Sequence, residues 1–298
     1  MRAVAAAIHP DVAGAAAGIE HSPFTLAQRF ELAIFNRYGD EQVTAENQDD
    51  IDGILAAGRV VARVRDAMLD AMEPGMTTAE LDRMGAELLD GFGARSAPRV
   101  MYDFPGATCI SVNEEAAHGV PGERVIRAGD IVNVDVSAEL NGYYADTGGT
   151  MVVPPVASAK ARLCHATQLA LKNALAEARA GAPINRIGRA IELTARSHGF
   201  KVIRNLGGHG IGRSLHEEPD GIVSYEDRRD KRRLKRGQVI AIEPFLSTRS
   251  THVTEADDGW TLVGHPANRS AQFEHTIIVT NGAPIVATLS EGPRRHHA

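Results

Sequence analysis

The stretch that decides the fold is IVNVDVSAELNGYYADTGGT, Ile131 to Thr150. Valines alternate with polar residues through its first half, and this period of two predicts a strand with one polar face. The dipeptide Asn141-Gly142 that follows is a strong signal for a two-residue hairpin turn. The segment therefore predicts an antiparallel hairpin in which Leu140 pairs with Tyr143.

The same register brings two acids close together. In this hairpin Ser137 pairs with Asp146, and Asp135 lies on the same face of its strand as Ser137. Diagonal neighbours on one face have Cβ atoms about 7 Å apart or less. Two carboxylates at this separation repel each other unless a cation or a proton lies between them. The alternative at this point is a pair of unrelated surface acids on an exposed hairpin.

Two later strand-like segments each carry one acid among apolar residues. VIAIEP, residues 239–244, contains Glu243, and AQFEHTIIVT, residues 271–280, contains Glu274. Strand alternation places His275 on the face opposite Glu274. A carboxylate in so apolar a strand needs a partner, which a core salt bridge could also supply.

A glycine-rich stretch adds two histidines. GGHGIGRSLHEEP, residues 207–219, contains His209 and His216. Its glycines disfavour a helix, and it matches neither of the glycine patterns that bind nucleotides. Carboxylates with imidazole form a ligand set for Mn²⁺, Fe²⁺, Co²⁺ or Zn²⁺. Several acids favour two metal ions that activate a shared water and polarise a carbonyl, so the four acids and two histidines predict metal-assisted hydrolysis.

Helical periodicity on either side of the hairpin predicts the rest of the fold. One pair of helices is expected over 49–70 and from a cap at Thr77 or Thr78 to Gly91, and a second pair over 159–180 and 184–197. Strand-like segments follow each pair, at 108–112, 131–136 and 143–153 and then at 201–204, 239–244 and 273–279. Two such halves predict a duplicated α+β fold.

The composition excludes several classes of protein. Of the 298 residues, 43% are hydrophobic and 23% are charged, which is ordinary for a soluble globular protein. The net charge of −6 argues against a nucleic-acid-binding surface, and the basic run Arg228 to Arg236 is interpreted as a solvated loop. Two cysteines, Cys109 and Cys164, are too few for a disulfide scaffold. Without a membrane span or a signal peptide, we expect a cytoplasmic protein with no membrane and no specific nucleic-acid partner.

Six motifs occur along the chain: SVNEEAAHGVP (111–121), GDIVNVDV (129–136), GGHGIGRSLHEEP (207–219), AIEP (241–244), DGWT (258–261) and AQFEHT (271–276). With them, the chain from about residue 50 to residue 288 resembles the type I methionine aminopeptidases. The resemblance implies the pita-bread fold, with duplicated α/β halves and an antiparallel sheet covered by helices. We accordingly divide the chain into an N-terminal extension of unknown role (1–45), a pita-bread catalytic domain (46–288) and a C-terminal tail (289–298).

The resemblance also implies two divalent metal ions, whether Co, Mn, Fe or Zn. Their five implied ligands are Asp135, Asp146, His209, Glu243 and Glu274. In the family pattern Asp146 and Glu274 bridge the two ions. Asp135 binds one of them, and His209 with Glu243 completes the other.

The implied reaction is removal of the N-terminal methionine from nascent proteins and peptides. A metal-activated hydroxide attacks the first peptide bond, and Glu243 is placed to shuttle its proton. His118 and His216 match the family's two non-ligand histidines, which contact the scissile amide and stabilise the tetrahedral intermediate. The catalytic residues are thus expected to be His118, His216 and Glu243.

The methionine pocket of this family is a small apolar cup. Four residues fall at its positions, Phe104, Cys109, Leu215 and Trp260. They suit a thioether side chain. Leu215 stands where many members carry phenylalanine, and Met101 stands where an aromatic residue is common, although Tyr102 could compensate one place along. These departures concern the shape of the pocket and leave the chemistry unchanged.

Spacing favours the type I enzymes. Only residues 217–242 separate His216 from Glu243, which leaves no room for the inserted subdomain of type II enzymes. The first hundred residues contain no cysteine, so the zinc-binding extension of some type I enzymes is not expected. The expected partners are N-terminal methionine and, transiently, the ribosome, and the expected state is a monomer.

Three alternative functions are less consistent with the sequence. Aminopeptidase P and prolidase share the metal ligands, but SVNEEAAHGVP and DGWT favour the methionine enzymes. A non-catalytic pita-bread binding module and a creatinase-like metal-free hydrolase are disfavoured, because all five ligands and both histidines are retained.

Overall fold

The predicted hairpin is present in the computed structural model, which describes residues 43–290. Strand β4 (Ile131–Leu140) pairs with β5 (Tyr143–Val152), and Ser137 lies opposite Asp146. Asn141 and Gly142 have φ angles of 53° and 83°, and a two-residue turn of this kind requires positive values at both positions. The predicted register is therefore confirmed.

Five helices lie within the described residues: α1 (Gln48–Ala71), α2 (Thr78–Gly91), α3 (Ala97–Tyr102), α4 (Ser158–Glu177) and α5 (Asn185–Ser197). The strands other than β4 and β5 are β1 (Arg95–Ser96), β2 (Cys109–Val112), β3 (Glu115–Ala117), β6 (Lys201–Val202), β7 (Gly207–Gly210), β8 (Glu217–Val223), β9 (Val239–Ile242), β10 (Phe245–Ser247), β11 (Thr254–Glu255), β12 (Leu262–Val263), β13 (Ser270–Gln272), β14 (His275–Ile278) and β15 (Ile285–Val286).

The four predicted helices are present, and capping boxes explain where the first two begin. The Asn47 side chain accepts a hydrogen bond from the Asp50 N–H (3.0 Å), and the Asp50 carboxylate accepts one from the Asn47 N–H (3.3 Å). A second capping box starts α2. Helix α4 ends at Glu177 and not at the predicted Ala180, because the Ala180 N–H donates to the Thr280 carbonyl (2.8 Å) outside the helix.

Every strand pair among residues 43–290 is antiparallel. Strand β4 pairs with β1, β2 and β5 in one sheet, and a five-stranded sheet has the order β15-β14-β9-β7-β8. Two three-stranded sheets, β13-β10-β6 and β11-β12-β3, complete the architecture. Separate helices and antiparallel sheets confirm the α+β class.

The glycine-rich stretch forms a strand that sequence patterns did not predict. Strand β7 lies between β8 and β9, and His209 is opposite Ala241. A Cβ added at Gly208 would collide with the Ala241 carbonyl oxygen, and one added at Gly210 would collide with the Glu217 carbonyl oxygen. Glycine is required at both positions because the neighbouring backbones approach so closely.

The chain folds as two halves, each with a pair of helices packed on a sheet. In the first half, α1 and α2 share a core with β2, β4 and β5 that includes Val61 and Val134. In the second half, α4 and α5 share a core with the later strands that includes Leu163 and Ile240. The halves meet where β5 lies against residues 270–278, a contact that we call the seam.

Backbone and threonine hydroxyl groups hold the seam together. The Thr276 hydroxyl accepts from the Asp146 N–H (2.9 Å) and donates to the Asp146 carbonyl (2.8 Å). The Thr147 hydroxyl donates to the Glu274 carbonyl (2.9 Å), and the Glu274 N–H donates to the Gly148 carbonyl (3.1 Å). Asp146 from the first half and Glu274 from the second are therefore side by side.

The predicted extension and tail fall largely outside the described residues, which begin at Val43 and end at Ser290. The Ala45 N–H donates to the Gly237 carbonyl (3.0 Å), so the chain just before α1 is tied to the loop before β9. The basic run 228–236 is a loop in which Arg232 pairs with Asp230 (2.7 Å). Within residues 43–290, no helix is long and apolar enough to cross a membrane.

Candidate metal centre and substrate pocket

The structure brings the five predicted ligands together at the seam, and we call them the ligand cluster: Asp135, Asp146, His209, Glu243 and Glu274. Asp146, His209 and Glu274 each offer a ligand atom, and these three atoms lie within 4.8 Å of one another. Glu243 Oε1 lies 3.7 Å from His209 Nε2. Asp135 lines the same cavity as Asp146 and Glu243.

The backbone that carries each ligand differs from the prediction in one respect. Asp135 and Asp146 lie within β4 and β5, whereas Glu243 directly follows β9 and Glu274 falls between β13 and β14. The prediction that both glutamates lie inside strands is therefore wrong, although the segments around them are correctly placed. The Glu274 N–H bonds across the seam to Gly148, so it leaves the regular ladder.

The four acids of the ligand cluster are buried, and the positive charge around them is too small to balance four ionised carboxylates. Burial, followed by neighbouring carboxylates, raises the pKa of Asp135, Glu243 and Glu274 well above the usual range. Burial also raises the pKa of Asp146, although His209 opposes that shift. Asp146 Oδ1 and Glu274 Oε1 are buried with no hydrogen-bond partner among residues 43–290. Oxygen atoms in this position fit a bound divalent cation.

The tautomer of His209 suits a metal ligand. Its Nδ1 lies 2.9 Å from the Gly210 carbonyl oxygen, which can only accept a hydrogen bond, so Nδ1 carries the proton. The lone pair is then on Nε2, the atom that lies near Glu243. A backbone carbonyl that fixes the tautomer in this way is the usual support for a metal-binding histidine.

Gln272 is a functional candidate that sequence reasoning missed. Its amide nitrogen donates to Glu274 Oε2 (2.9 Å) and lies 3.4 Å from Asp135 Oδ2. Its amide oxygen accepts from the Asn133 amide nitrogen (2.8 Å), which orients the group so that the donor faces the acids. Gln272 is only 1% exposed, and a Cβ at Gly148 would collide with it. Strand alternation places Gln272 on the same face as Glu274. Nothing in the sequence indicates the hydrogen bonds that link Asn133 through Gln272 to the two acids.

The second part of the site is an apolar and aromatic wall over the ligand cluster. We call it the pocket wall: Tyr102, Phe104, Cys109, His118, Leu215, His216 and Trp260. All four residues predicted for the methionine pocket belong to it, and Phe104 meets Trp260 edge to face with ring centroids 5.2 Å apart. Tyr102 and Ser137 line the cavity, and so does Pro98, which no sequence signal indicated. Met101 instead packs under Tyr144, whose hydroxyl lies 3.5 Å from the Met101 sulfur.

The DGWT motif holds one side of the pocket wall. The Asp258 carboxylate accepts from the backbone N–H groups of Trp260 (2.9 Å) and Thr261 (2.8 Å), which closes a tight turn. The Thr261 hydroxyl oxygen in turn accepts from the Val120 N–H (3.2 Å). The turn therefore holds Trp260 at the cavity and steadies the segment after His118. His118 itself has a φ of 53°, a strained conformation of the kind that clusters at functional sites.

The two predicted catalytic histidines lie near the ligand cluster and are neutral. The ring centroids of His216 and His209 are 4.1 Å apart. Burial, and then the neighbouring His209, lowers the pKa of His118 to about 4. Burial, with His209 and His118 close by, lowers the pKa of His216 well below its usual range. Each imidazole therefore carries one N–H that it can offer to a substrate oxygen.

Comparison with known proteins agrees with this geometry. Residues 52–281 match metallopeptidase family M24. Methionine aminopeptidase 2 of Bacillus subtilis (strain 168) is 47% identical over 243 residues, which cover 81% of this chain and 98% of the relative. The crystal structure of the methionine aminopeptidase from Rickettsia prowazekii superposes with a TM-score of 0.79 at 34% identity, covering 83% of this chain and all of that one.

Proline-specific enzymes share the fold at a greater distance. The prolidase from Pyrococcus furiosus has a TM-score of 0.67 at 22% identity, and the superposition covers 84% of this chain and 66% of that one. The expected pita-bread α+β fold is confirmed by these neighbours, and the higher identities are all to methionine enzymes. The chain belongs to metallopeptidase family M24, among the methionine aminopeptidases.

Proposed function

We propose that this chain is a metal-dependent aminopeptidase that hydrolyses the peptide bond after an N-terminal methionine. One observation carries the proposal: a single cavity holds buried acids with His209, two neutral histidines and an apolar wall. The acids and His209 are suited to divalent metal, the histidines to a carbonyl, and the wall to a thioether side chain.

The ligand cluster would hold the metal ions, with Asp146, His209 and Glu274 at its centre. When bound there, divalent ions supply an acidic water and a Lewis acid for the carbonyl of the first peptide bond. Cobalt, manganese, iron and zinc all suit this donor set. Gln272 holds the Glu274 and Asp135 carboxylates in place by donating its amide hydrogens, so one oxygen of each acid stays directed into the site.

Glu243 is placed to move the proton. Its carboxylate lines the cavity beside His209, and burial raises its pKa. A carboxylate beside the attacking water can take a proton from it and return that proton to the leaving amine. Charge builds on the carbonyl oxygen in the same step, and an imidazole N–H from His118 or His216 can stabilise it.

The pocket wall would select the side chain of the first residue. Phe104, Leu215 and Trp260 present apolar and aromatic surface, which matches an unbranched thioether. Cys109 adds a neutral thiol, because burial raises its pKa well above the usual range. The substrate class is therefore peptides and nascent proteins that begin with methionine.

A peptide panel tests this function against the proline-specific alternative. The protein is chelated, reloaded with Mn²⁺ or Co²⁺, and assayed on Met-Ala-Ser-type and Xaa-Pro peptides. We expect release of methionine that depends on added metal, and no cleavage of Xaa-Pro bonds. Preferred hydrolysis of Xaa-Pro peptides would favour a prolidase-like enzyme, and no hydrolysis of either set would favour a binding module.

Several finer features stay predictions that rest on the family resemblance. They are the cytoplasmic location, the transient ribosome association, the monomeric state and the division into extension, catalytic domain and tail. The substrate class supports the first two, because the methionine to be removed is exposed on a chain as it leaves the ribosome.

A further inference from the structure

The Tyr102 side chain makes a hydrogen bond that the reaction outlined above does not use. Its hydroxyl oxygen lies 2.6 Å from Nδ1 of His216. The two rings are tilted by 55° with centroids 5.5 Å apart, so the contact is made through the hydroxyl and not by stacking. Both residues line the cavity.

The chemistry of the two groups allows Tyr102 to donate in this bond. Burial raises the pKa of the Tyr102 phenol, so the hydroxyl keeps its proton and can donate. A neutral imidazole has one nitrogen that donates and one that accepts. When the phenol donates to Nδ1, the remaining imidazole proton is on Nε2, on the far side of the ring from Tyr102.

The local fold holds Tyr102 in this position. It is the last residue of α3. Ser96 is the N-cap residue of this helix, and its hydroxyl donates to the Ala107 carbonyl (2.7 Å). The helix is closed by Asp103 with a φ of 56°, and the Asp103 N–H donates to the Arg99 carbonyl (3.2 Å). Both ends of the short helix that carries Tyr102 are therefore held by local hydrogen bonds.

Asp82 also holds α3 in place. Asp82 accepts hydrogen bonds from the N–H groups of Ala107 (3.0 Å) and Thr108 (2.8 Å), and it lies 3.7 Å from the Arg99 guanidinium. Asp82 thus ties the helix that carries Tyr102 to the start of β2.

We propose that Tyr102 is a positioning residue that holds His216 in the Nε2–H tautomer, with that N–H directed at the substrate carbonyl. Tyr102 does not touch the reacting atoms, and it acts through His216. The inference rests on the proposed aminopeptidase function, and it deepens that function by naming what prepares one of its two hydrogen-bond donors. The competing role for Tyr102 is that it only lines the pocket and does not orient His216.

Kinetics of Tyr102→Phe separate the two roles. The change removes only the hydroxyl, and the matched control is Tyr144→Phe, whose hydroxyl contacts the Met101 sulfur and not a histidine. With the Mn²⁺-loaded enzyme and a Met-Ala-Ser peptide, we expect kcat to fall about tenfold while KM stays within about twofold, as for loss of other groups that orient catalytic side chains. A raised KM with normal kcat would show that Tyr102 only shapes the pocket for the substrate, and it would overturn the proposal.

Nitrogen NMR of the Zn²⁺-loaded protein tests the tautomer without any assay of activity. Histidine ¹⁵N signals of wild type and Tyr102→Phe are compared, and His216 is assigned from its absence in His216→Gln. We expect a protonated Nε2 in wild type and a mixture of tautomers in Tyr102→Phe. A protonated Nδ1 in wild type, or an unchanged tautomer in Tyr102→Phe, would overturn the proposal. The wild-type spectrum tests the predicted tautomer even if the variant does not fold, or if methionine peptides are not cleaved.

Discussion

The ligand cluster and the pocket wall face the same cavity but are built in opposite ways. The ligand cluster lies on or directly beside paired strands: Asp135 and Asp146 belong to one hairpin, and His209 lies in β7 between two neighbours. Most of the pocket wall lies on short elements and loops, such as the end of α3 and the turn that carries Trp260. The ligand cluster is fixed by strand register, and the wall by local hydrogen bonds.

The difference predicts two kinds of failure when residues are changed. A change in the ligand cluster leaves buried acids without their compensating cation, so metal binding and activity should be lost together. A change in the wall should leave metal binding intact and alter kcat or KM alone. Four variants test whether the two regions can be separated in this way.

The largest effect is expected for His209→Ala. His209 is the only imidazole of the ligand cluster, and its loss also removes the group that opposes the raised pKa of Asp146. We expect hydrolysis of Met-Ala-Ser to fall by more than about a thousandfold, because activity through the metal depends on a complete site. Isothermal titration with Mn²⁺ should show the loss of binding.

The control for His209→Ala is His198→Ala, since His198 is exposed at the end of α5. That variant should behave as wild type. Near-normal activity in His209→Ala would contradict the assignment of the ligand cluster.

A smaller effect is expected for His216→Ala. This removes one imidazole donor at the carbonyl but no ligand, so kcat should fall by roughly ten- to a hundredfold. The dissociation constant for Mn²⁺ should stay near the wild-type value. Weakened metal binding in His216→Ala would show that the two histidines of residues 207–219 are divided wrongly.

Gln272→Leu tests the boundary between the two regions. The exchange is similar in size but removes the amide that donates to Glu274, so that carboxylate loses its orientation. We expect Mn²⁺ affinity to weaken by about ten- to a hundredfold, as for other groups that orient metal ligands. Gln168→Leu on the exposed face of α4 is the control. Unchanged affinity in Gln272→Leu would mean that strand register alone orients the acids.

The smallest effect is expected for Leu215→Phe. Leu215 is 4% exposed and packs with Tyr144 and Met101, so a larger ring must narrow the cup and strain its neighbours. We expect KM for methionine peptides to rise by about three- to tenfold with kcat nearly unchanged, and stability to fall by about 1–3 kcal/mol. Kinetics and thermal melts measure these, with Leu193→Phe on the surface as the control. A large loss of kcat would place Leu215 in the chemistry.

The same contrast explains how much could be predicted from sequence. Alternation and Asn141-Gly142 were enough to place Asp135 near Asp146, because register follows from the turn. Tyr102 and Gln272 could not be assigned roles, since each acts through a contact between distant segments: 102 with 216, and 133 with 272. No periodicity in the chain reports such a contact. The wall residues Phe104 and Trp260 were found through the family resemblance alone.

Strand β7 shows a similar limit. Its glycines gave a correct argument against a helix, but the strand exists only because β8 and β9 close in from both sides. Propensity disfavours glycine in strands, and tertiary packing overrides it here.

The seam has a consequence for how the protein matures. Neither half carries the whole ligand cluster: Asp135 and Asp146 come from the first half, and His209, Glu243 and Glu274 from the second. A cation can therefore bind tightly only after the two halves have docked, and once bound it favours the docked state by mass action. Metal binding therefore depends on correct docking of the two halves. A chain whose halves are misaligned lacks a complete metal site and stays inactive.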